Sequence, residues 1–429
     1  MELHPVRAPW REPERLFAGA ARLHPDLFWL DAGPAAVDGW SWLGVGSRVE
    51  VDEVRAVVCA PGVASEGGAF RGGWVGWLAY EDGAARAGAP VAAGDGTPSQ
   101  WMRAERYIAF EHSARCIWLF APDPDAFALE LDAWAAQPSV GDPQPRTARA
   151  RHTPAEYAGL IEDCRAAIRE GDAYQLCLTT RFDVDGPVDE VAAYLALRGA
   201  TPAHHGGFVR IEGVTLASAS PERFLEVSPH REHGGAVVRT HPIKGTRPRG
   251  IDAAADDALR AQLHSSPKER AENVMIVDLM RNDLSRVAQT GTVTVERLLE
   301  IESYPAVHQL VSTVAAQLAP GTTVGELWDA AFPAGSMTGA PKLSAMAILH
   351  RLERGPRGIF AGCFGWVGVD GGMDAAMVIR SIVVRGDGAS VGAGGGITWL
   401  SVAAEEVAEV GVKARAPLAA LGAQLPPGW

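Results

Sequence analysis

Short apolar runs that end in glycine or turn residues mark the first third of the chain. Leu27-Phe28-Trp29-Leu30 and Trp40-Ser41-Trp42-Leu43-Gly44 read as strands entering turns. A helical pattern begins at Thr153-Pro154-Ala155-Glu156: a capping threonine, proline at the first helical position, and glutamate three residues on from the cap. That helix is predicted to run to about 170 and stop at Gly171-Asp172, with a strand following over 174–182. A second helix is predicted from Ser266-Pro267 to about 280, and a last one over about 402–415. Further strands are expected at 237–238, 292–295, 362–369 and 377–384. The run Gly392-Ala393-Gly394-Gly395-Gly396 is expected to open the last helix and offer bare N–H groups to a carboxylate. Paired strands separated by single helices predict an α+β fold, with antiparallel sheets covered by helices rather than a doubly wound parallel sheet. Three prolines with Gly and Asp over 137–146 mark a linker, so 1–145 and 146–420 read as two regions.

Composition narrows the function classes. At 429 residues and 47% hydrophobic, the chain has material for a large core. A net charge of -13 argues against nonspecific nucleic-acid binding, because nothing would neutralise a phosphate backbone. A small anionic ligand remains compatible, given a local basic patch or a bound cation. Five cysteines without CxxC spacing suggest free thiols in a reducing compartment. No apolar run is long enough for a membrane span and the N-terminus lacks signal-peptide features, so a cytoplasmic protein without membrane contact is expected.

Candidate chemistry centres on His241-Pro242-Ile243-Lys244-Gly245-Thr246-Arg247. An ammonium on a short apolar strand snorkels, pairs, or loses its proton and becomes a nucleophile. Glu269 and Glu272 lie three apart on one predicted helix, and Glu406, Glu409 and Lys413 repeat the device on the last. Each face alone reads as solvated. Together the four carboxylates form an oxygen cage suited to magnesium, which keeps several waters and uses few direct carboxylates. Glu222, in Ser220-Pro221-Glu222-Arg223-Phe224, sits beside apolar residues that raise a carboxyl's pKa and suit a general acid; a surface turn paired to Arg223 is the alternative. Gly335-Ser336-Met337-Thr338-Gly339-Ala340-Pro341-Lys342 fails the phosphate-loop spacing, and Pro341 removes a donor such a loop needs.

The segments "PIKGTRPRG", "KERAENVMIVDLMRNDLSRV", "FPAGSMTGAPK" and "GAGGGI", collinear from about 150 to 415, together resemble the chorismate-utilising enzymes. These comprise the anthranilate synthase, aminodeoxychorismate synthase and isochorismate/salicylate synthase families. The resemblance implies a large two-lobed sandwich of antiparallel β-sheets covered by helices, with residues 1–145 as the more variable N-terminal part and 146–420 binding chorismate. It implies magnesium at Glu269, Glu272, Glu406 and Glu409, and a general acid at Glu222. It implies substrate contacts at Thr246, His308, Thr338, Trp366, Arg380 and Lys413, with backbone donors at Gly394, Gly395 and Gly396. Trp366 stands where tyrosine is often found, and Thr398-Trp399-Leu400 interrupts the usual continuation of the glycine run.

Two positions separate the branches. Gln175 stands where isochorismate and salicylate synthases carry a lysine base; Lys244 stands where anthranilate synthases have alanine and aminodeoxychorismate synthase component I has lysine. The resemblance therefore implies covalent attack by Lys244 at ring carbon 2, followed by displacement by ammonia at carbon 4. It also implies a glutamine amidotransferase partner as the ammonia source, for which the chain has no room of its own. Anthranilate synthesis with an incidental lysine, and a catalytically silent regulatory homologue, are the alternatives. Trp29, Asp31, Ser41 and Trp42 match a tryptophan pocket of the amide-transfer members, although ordinary sheet packing accounts for the same residues.

Overall fold

The computed structural model describes residues 3–60, 66–93, 97–135, 145–229, 235–304 and 307–429. Most of the predicted linker, 137–144, lies outside them. Twenty described strands join in one hydrogen-bonded network, every pairing antiparallel, with eleven α-helices packed around it. This is the α+β architecture of antiparallel sheets under helices.

The two sequence regions share ladders. Leu27–Asp31 pairs with His205–Ile211, and Gly73–Leu78 pairs with Cys363–Gly368. They share a core as well. Phe17, from the N-terminal helix Pro13–Leu23, packs its ring 4.9 Å from both Trp29 and Phe208. Trp29 is fully buried there, beneath Tyr194, so its place is core packing.

The helix start at Thr153 has the expected chemistry. The Thr153 hydroxyl accepts from the Glu156 N–H while Glu156 accepts from the Thr153 N–H, and the helix Pro154–Glu170 ends at Gly171 with φ 88°. The second helix spans Pro267–Ser285, one turn beyond expectation, capped by Ser266. The last spans Ala403–Ala420 and continues through Pro417.

Two expectations fail. The stretch predicted as one strand over 377–384 is two, Met373–Met377 and Ser381–Arg385, broken where Arg380 adopts φ 53°. The glycine run does not open a helix. It lies inside the strand Gly388–Ile397, whose Ala389, Val391, Ala393 and Ile397 alternate into the core while the intervening residues face outward. Side chains are excluded there by close approach: a Cβ on Gly392 would lie 2.1 Å from the Phe360 ring.

Phe17→Ala is expected to cost about 3–5 kcal/mol, seen as a lower midpoint of urea unfolding. An unchanged midpoint would mean that the ring does not bind the two regions together.

Candidate active site

Lys244 lies in the strand Ile243–Pro248, which pairs with Val307–Gln317. The ladder slips between Ile243 and Thr246, so Lys244 and Gly245 form an irregularity that re-aims the lysine, and Gly245 takes φ 87°. A Cβ on Gly245 would fall 2.9 Å from the Glu269 carboxyl carbon, so the glycine lets the helix Pro267–Ser285 approach the strand.

Glu222 is buried just after Pro221, and the Ser336 hydroxyl donates to its Oε1 at 3.1 Å. Burial pushes its carboxyl up to about 7, opposed by Lys244, the Ser336 hydroxyl, the Ile243 N–H and Lys413. Lys244 and Glu222 are therefore electrostatic neighbours, with Glu222 a proton donor near neutrality. Its sequence neighbours Pro221 and Arg223 line a different space, and Arg223 pairs with Glu226 and Asp374, so the surface-turn alternative for Glu222 is excluded.

Gln175 completes this group. It begins the strand Gln175–Asp185, which runs beside the glycine strand with Cys177 opposite Gly396 and Thr179 opposite Gly394. A Cβ on Gly396 would lie 2.3 Å from Gln175 Nε2 and 3.6 Å from Lys244 Nζ. Both polar atoms of the buried Gln175 amide lack a hydrogen-bond partner among the described residues. Leaving such groups unmade is costly, so a water or a ligand has to meet them.

The glycines are not equivalent. The Gly394 carbonyl accepts from Lys413 Nζ at 2.8 Å, and the Thr179 N–H opposite it donates to Glu353 at 2.9 Å. That pair is thus a non-hydrogen-bonded one, and alternation commits Gly395 to the ladder with Leu178. Gly394 and Gly396 keep N–H groups on the open edge, whereas Gly395, expected as a third donor, is turned into the sheet.

The four glutamates converge from the helices Pro267–Ser285 and Ala403–Ala420 without forming a closed cage. Lys268 bonds Glu406 at 3.1 Å, Lys413 bonds Glu409 at 2.6 Å, and Arg247 stands 3.5 Å from Glu269. Among the described residues, no three acidic, histidine or cysteine side chains lie close enough to hold one ion. Burial raises the Glu272 carboxyl against the pull of Lys244 and Lys268, with Glu269 and Glu406 adding to the rise. Partial desolvation acts likewise on Glu409, which is exposed, but Lys413, Lys268 and Lys244 outweigh it and hold that carboxyl low. Glu272 Oε1 is buried with no partner. An all-oxygen donor set with one orphaned carboxylate oxygen fits a hard divalent cation that needs only one or two direct ligands.

Other expected residues are spread around this group. Burial lowers the Arg380 guanidinium while Glu409 opposes, and it makes no ion pair within 4.0 Å among the described residues. Thr338 is buried, its hydroxyl donating to the Ala334 carbonyl at 3.0 Å. Thr246 is exposed on its strand. His308 has both ring nitrogens engaged, by Ser303 at 2.7 Å and Asp256 at 3.0 Å, which ties it to the helix Ala253–Ser265 and leaves no ring nitrogen for substrate.

Trp366 is not brought to Lys244. Its ring lies 5.5 Å from Phe70 and 6.3 Å from Trp42, in a separate cavity of about 860 Å³ that Asp31 also lines. Side chains alternate across a strand, and the face of Cys363–Gly368 that carries Trp366 points to that cavity. Asp31 there is held by Arg198 at 2.5 Å, and Ser41 by His112 at 2.8 Å.

Sequence reasoning missed Ser336 and Lys268. Both sit in quoted segments, Ser336 two residues before Thr338 and Lys268 beside Glu269, so proximity within the motif was the available signal.

A buried acid, an adjacent amine and a carboxylate cluster thus gather beside an open glycine edge. The chain matches the chorismate binding enzyme family over residues 47–419, and it belongs to that family. It is 39% identical over 371 residues to the aminodeoxychorismate synthase of Streptomyces pristinaespiralis, covering 82% of this chain and 51% of that one. Anthranilate synthase component 1 of Thermus thermophilus is 39% identical over 332 residues, 75% of this chain and 70% of that one. The chain spans about half the length of the two Streptomyces aminodeoxychorismate synthases it matches. Among solved structures, anthranilate synthase component I from Streptococcus pneumoniae superposes with a TM-score of 0.72 at 27% identity, covering 96% of this chain and 91% of that one. The menaquinone-specific isochorismate synthase MenF of Escherichia coli shares the fold, with a TM-score of 0.72 at 16% identity over 98% of this chain and 94% of that one.

Gly396→Ala drives a methyl into the Gln175 amide. The variant is expected to lose about 1–3 kcal/mol of stability, the usual cost of overpacking, seen as a lower midpoint of urea unfolding. An unchanged midpoint would mean that the Gln175 amide does not pack against Gly396.

Proposed function

We propose that this chain converts chorismate and ammonia to 4-amino-4-deoxychorismate through a covalent bond to Lys244. The observation that carries the reading is the grouping of Lys244 with a buried Glu222 whose carboxyl is pushed up to about 7, over a strand where Gln175 replaces a lysine base. In the first step the Lys244 lone pair bonds to ring carbon 2. The conjugated ring double bonds shift, the bond from carbon 4 to oxygen breaks, and the Glu222 proton leaves on the hydroxyl as water. In the second step ammonia bonds to carbon 4 and the double bonds return. Lys244 departs as the neutral amine, and the excess proton on the new amino group restores Glu222.

Arg380 and Lys413 pair with substrate carboxylate, and the open N–H groups of Gly394 and Gly396 orient it. Glu269, Glu272, Glu406 and Glu409 would hold magnesium, which supplies charge neutralisation for the dicarboxylate when bound. The ammonia source is a glutamine amidotransferase partner, and the five buried thiols suit a reducing cytoplasm. The product suits 4-aminobenzoate and folate synthesis, or an antibiotic built from the same precursor.

A second reading, anthranilate synthesis, is favoured by relatives of that name that this chain covers more fully, such as one from Streptomyces coelicolor at 36% identity over 86% of this chain and 75% of that one. Mass spectrometry of the product from chorismate, Mg²⁺ and ammonium separates the two. The proposal expects the carbon-4 amine; fluorescent anthranilate would overturn it. Lys244→Ala is expected to cut formation of that product by at least about 10³-fold, and undiminished product would refute the covalent route.

The rate should also fall as pH rises through about 7, because the first step uses the protonated carboxyl of Glu222. A pH profile of chorismate consumption at saturating ammonium checks this. A rate that stays flat well above that pH would mean another acid protonates the hydroxyl.

A further inference from the structure

Among the described residues outside the site, Arg357 and Glu353 form a heavily bonded buried charge pair. Arg357 Nε donates to Glu353 Oε2 at 2.8 Å and Nη2 donates to Oε1 at 2.6 Å, in a buried fork. The same guanidinium reaches in two further directions. Nη1 donates to the Met337 carbonyl at 2.6 Å and Nη2 to the Cys177 carbonyl at 2.9 Å. Its flat face lies 4.3 Å from the Tyr80 ring, and Glu353 Oε1 also accepts from the Thr179 N–H. Glu81 holds the Arg357 and Gly358 N–H groups, fixing the backbone that carries the arginine.

The two carbonyls belong to the two segments that shape the site. Met337 follows Ser336, the donor to Glu222, in the short turn Gly335–Met337. Cys177 lies two residues after Gln175, and its N–H donates to the Thr338 carbonyl at 2.8 Å. A single planar group thus sets the distance between the turn and the strand. A shift of the turn by half an ångström would break a 3.1 Å hydrogen bond between Ser336 and Glu222.

We propose that Arg357, held by Glu353, is a positioning residue for the general acid: by gripping Met337 and Cys177 together it fixes where the Ser336 hydroxyl meets Glu222. This deepens the role given to Glu222 above and rests on that reading for its catalytic meaning. The groups facing Glu222 are Lys244 and the Ile243 N–H from one strand, Lys413 from the last helix, and Ser336 from the turn. Of these, Arg357 controls only the Ser336 contact. A hydrogen bond to the ionised carboxylate favours ionisation, so losing it drives the carboxyl higher.

The test is a carboxyl titration of the full chain by isotope-edited infrared spectroscopy, with the Glu222→Gln spectrum subtracted. Arg357→Lys keeps the buried positive charge but cannot reach both carbonyls and both carboxylate oxygens. Its Glu222 midpoint is expected about one pH unit above that of the parent chain. Ser336→Ala should give the same rise, and the double variant no more than either. Glu353→Asp, which draws the guanidinium back while leaving the ion pair, carries the same expectation if Arg357→Lys does not fold. A folded variant with the parent midpoint, or shifts that add in the double variant, would overturn the proposal. A parent chain that titrates as expected but does not turn chorismate over would defeat the reading of the reaction and leave this positioning role standing.

Discussion

The exclusion of water from around Glu222 is the constraint on which the rest of the site depends. A solvated carboxyl would be ionised at neutral pH and could not serve as the proton donor proposed above. Burial reverses part of that preference, pushing the carboxyl up to about 7 even with two lysines near it. The fold achieves this by closing several elements over one side chain. Pro221 turns it inward, the turn Gly335–Met337 brings the Ser336 hydroxyl, and the bulged strand Ile243–Pro248 brings Lys244.

The carboxyls of the site divide by environment. Glu409 is held low by the lysines around it, whereas the carboxyls of Glu222 and Glu272 are raised by desolvation. Lys268 and Lys413 occupy carboxylate oxygens that a divalent cation would use. Under the proposed function, the lysines would turn to substrate carboxylate and the glutamates would hold the cation, which would supply charge neutralisation there.

Much of this was legible where local rules decide structure. The capping box at Thr153 was visible as four letters, since its hydrogen bonds lie within one turn. The i,i+3 spacing of Glu269 with Glu272 and of Glu406 with Glu409 put each pair on one helix face. The glycine run misled because glycine removes the side-chain alternation that marks a strand, yet Ala389, Val391, Ala393 and Ile397 carry it in full. Trp366 was assigned to substrate by motif position alone, and strand alternation sends it to the other cavity. The roles of Ser336 and Arg357 depend on contacts across 114 and 180 residues of sequence, which no local pattern encodes.

The central claim is that Lys244 bonds to the substrate ring. The most direct measurement is peptide mass spectrometry of the acid-quenched chain after mixing with chorismate and Mg²⁺ in the absence of ammonia. The account predicts an adduct of chorismate less water on the peptide containing Lys244, discharged when ammonium is added before the quench. A chain that forms the carbon-4 amine at full rate while Lys244 never carries the ring would contradict it.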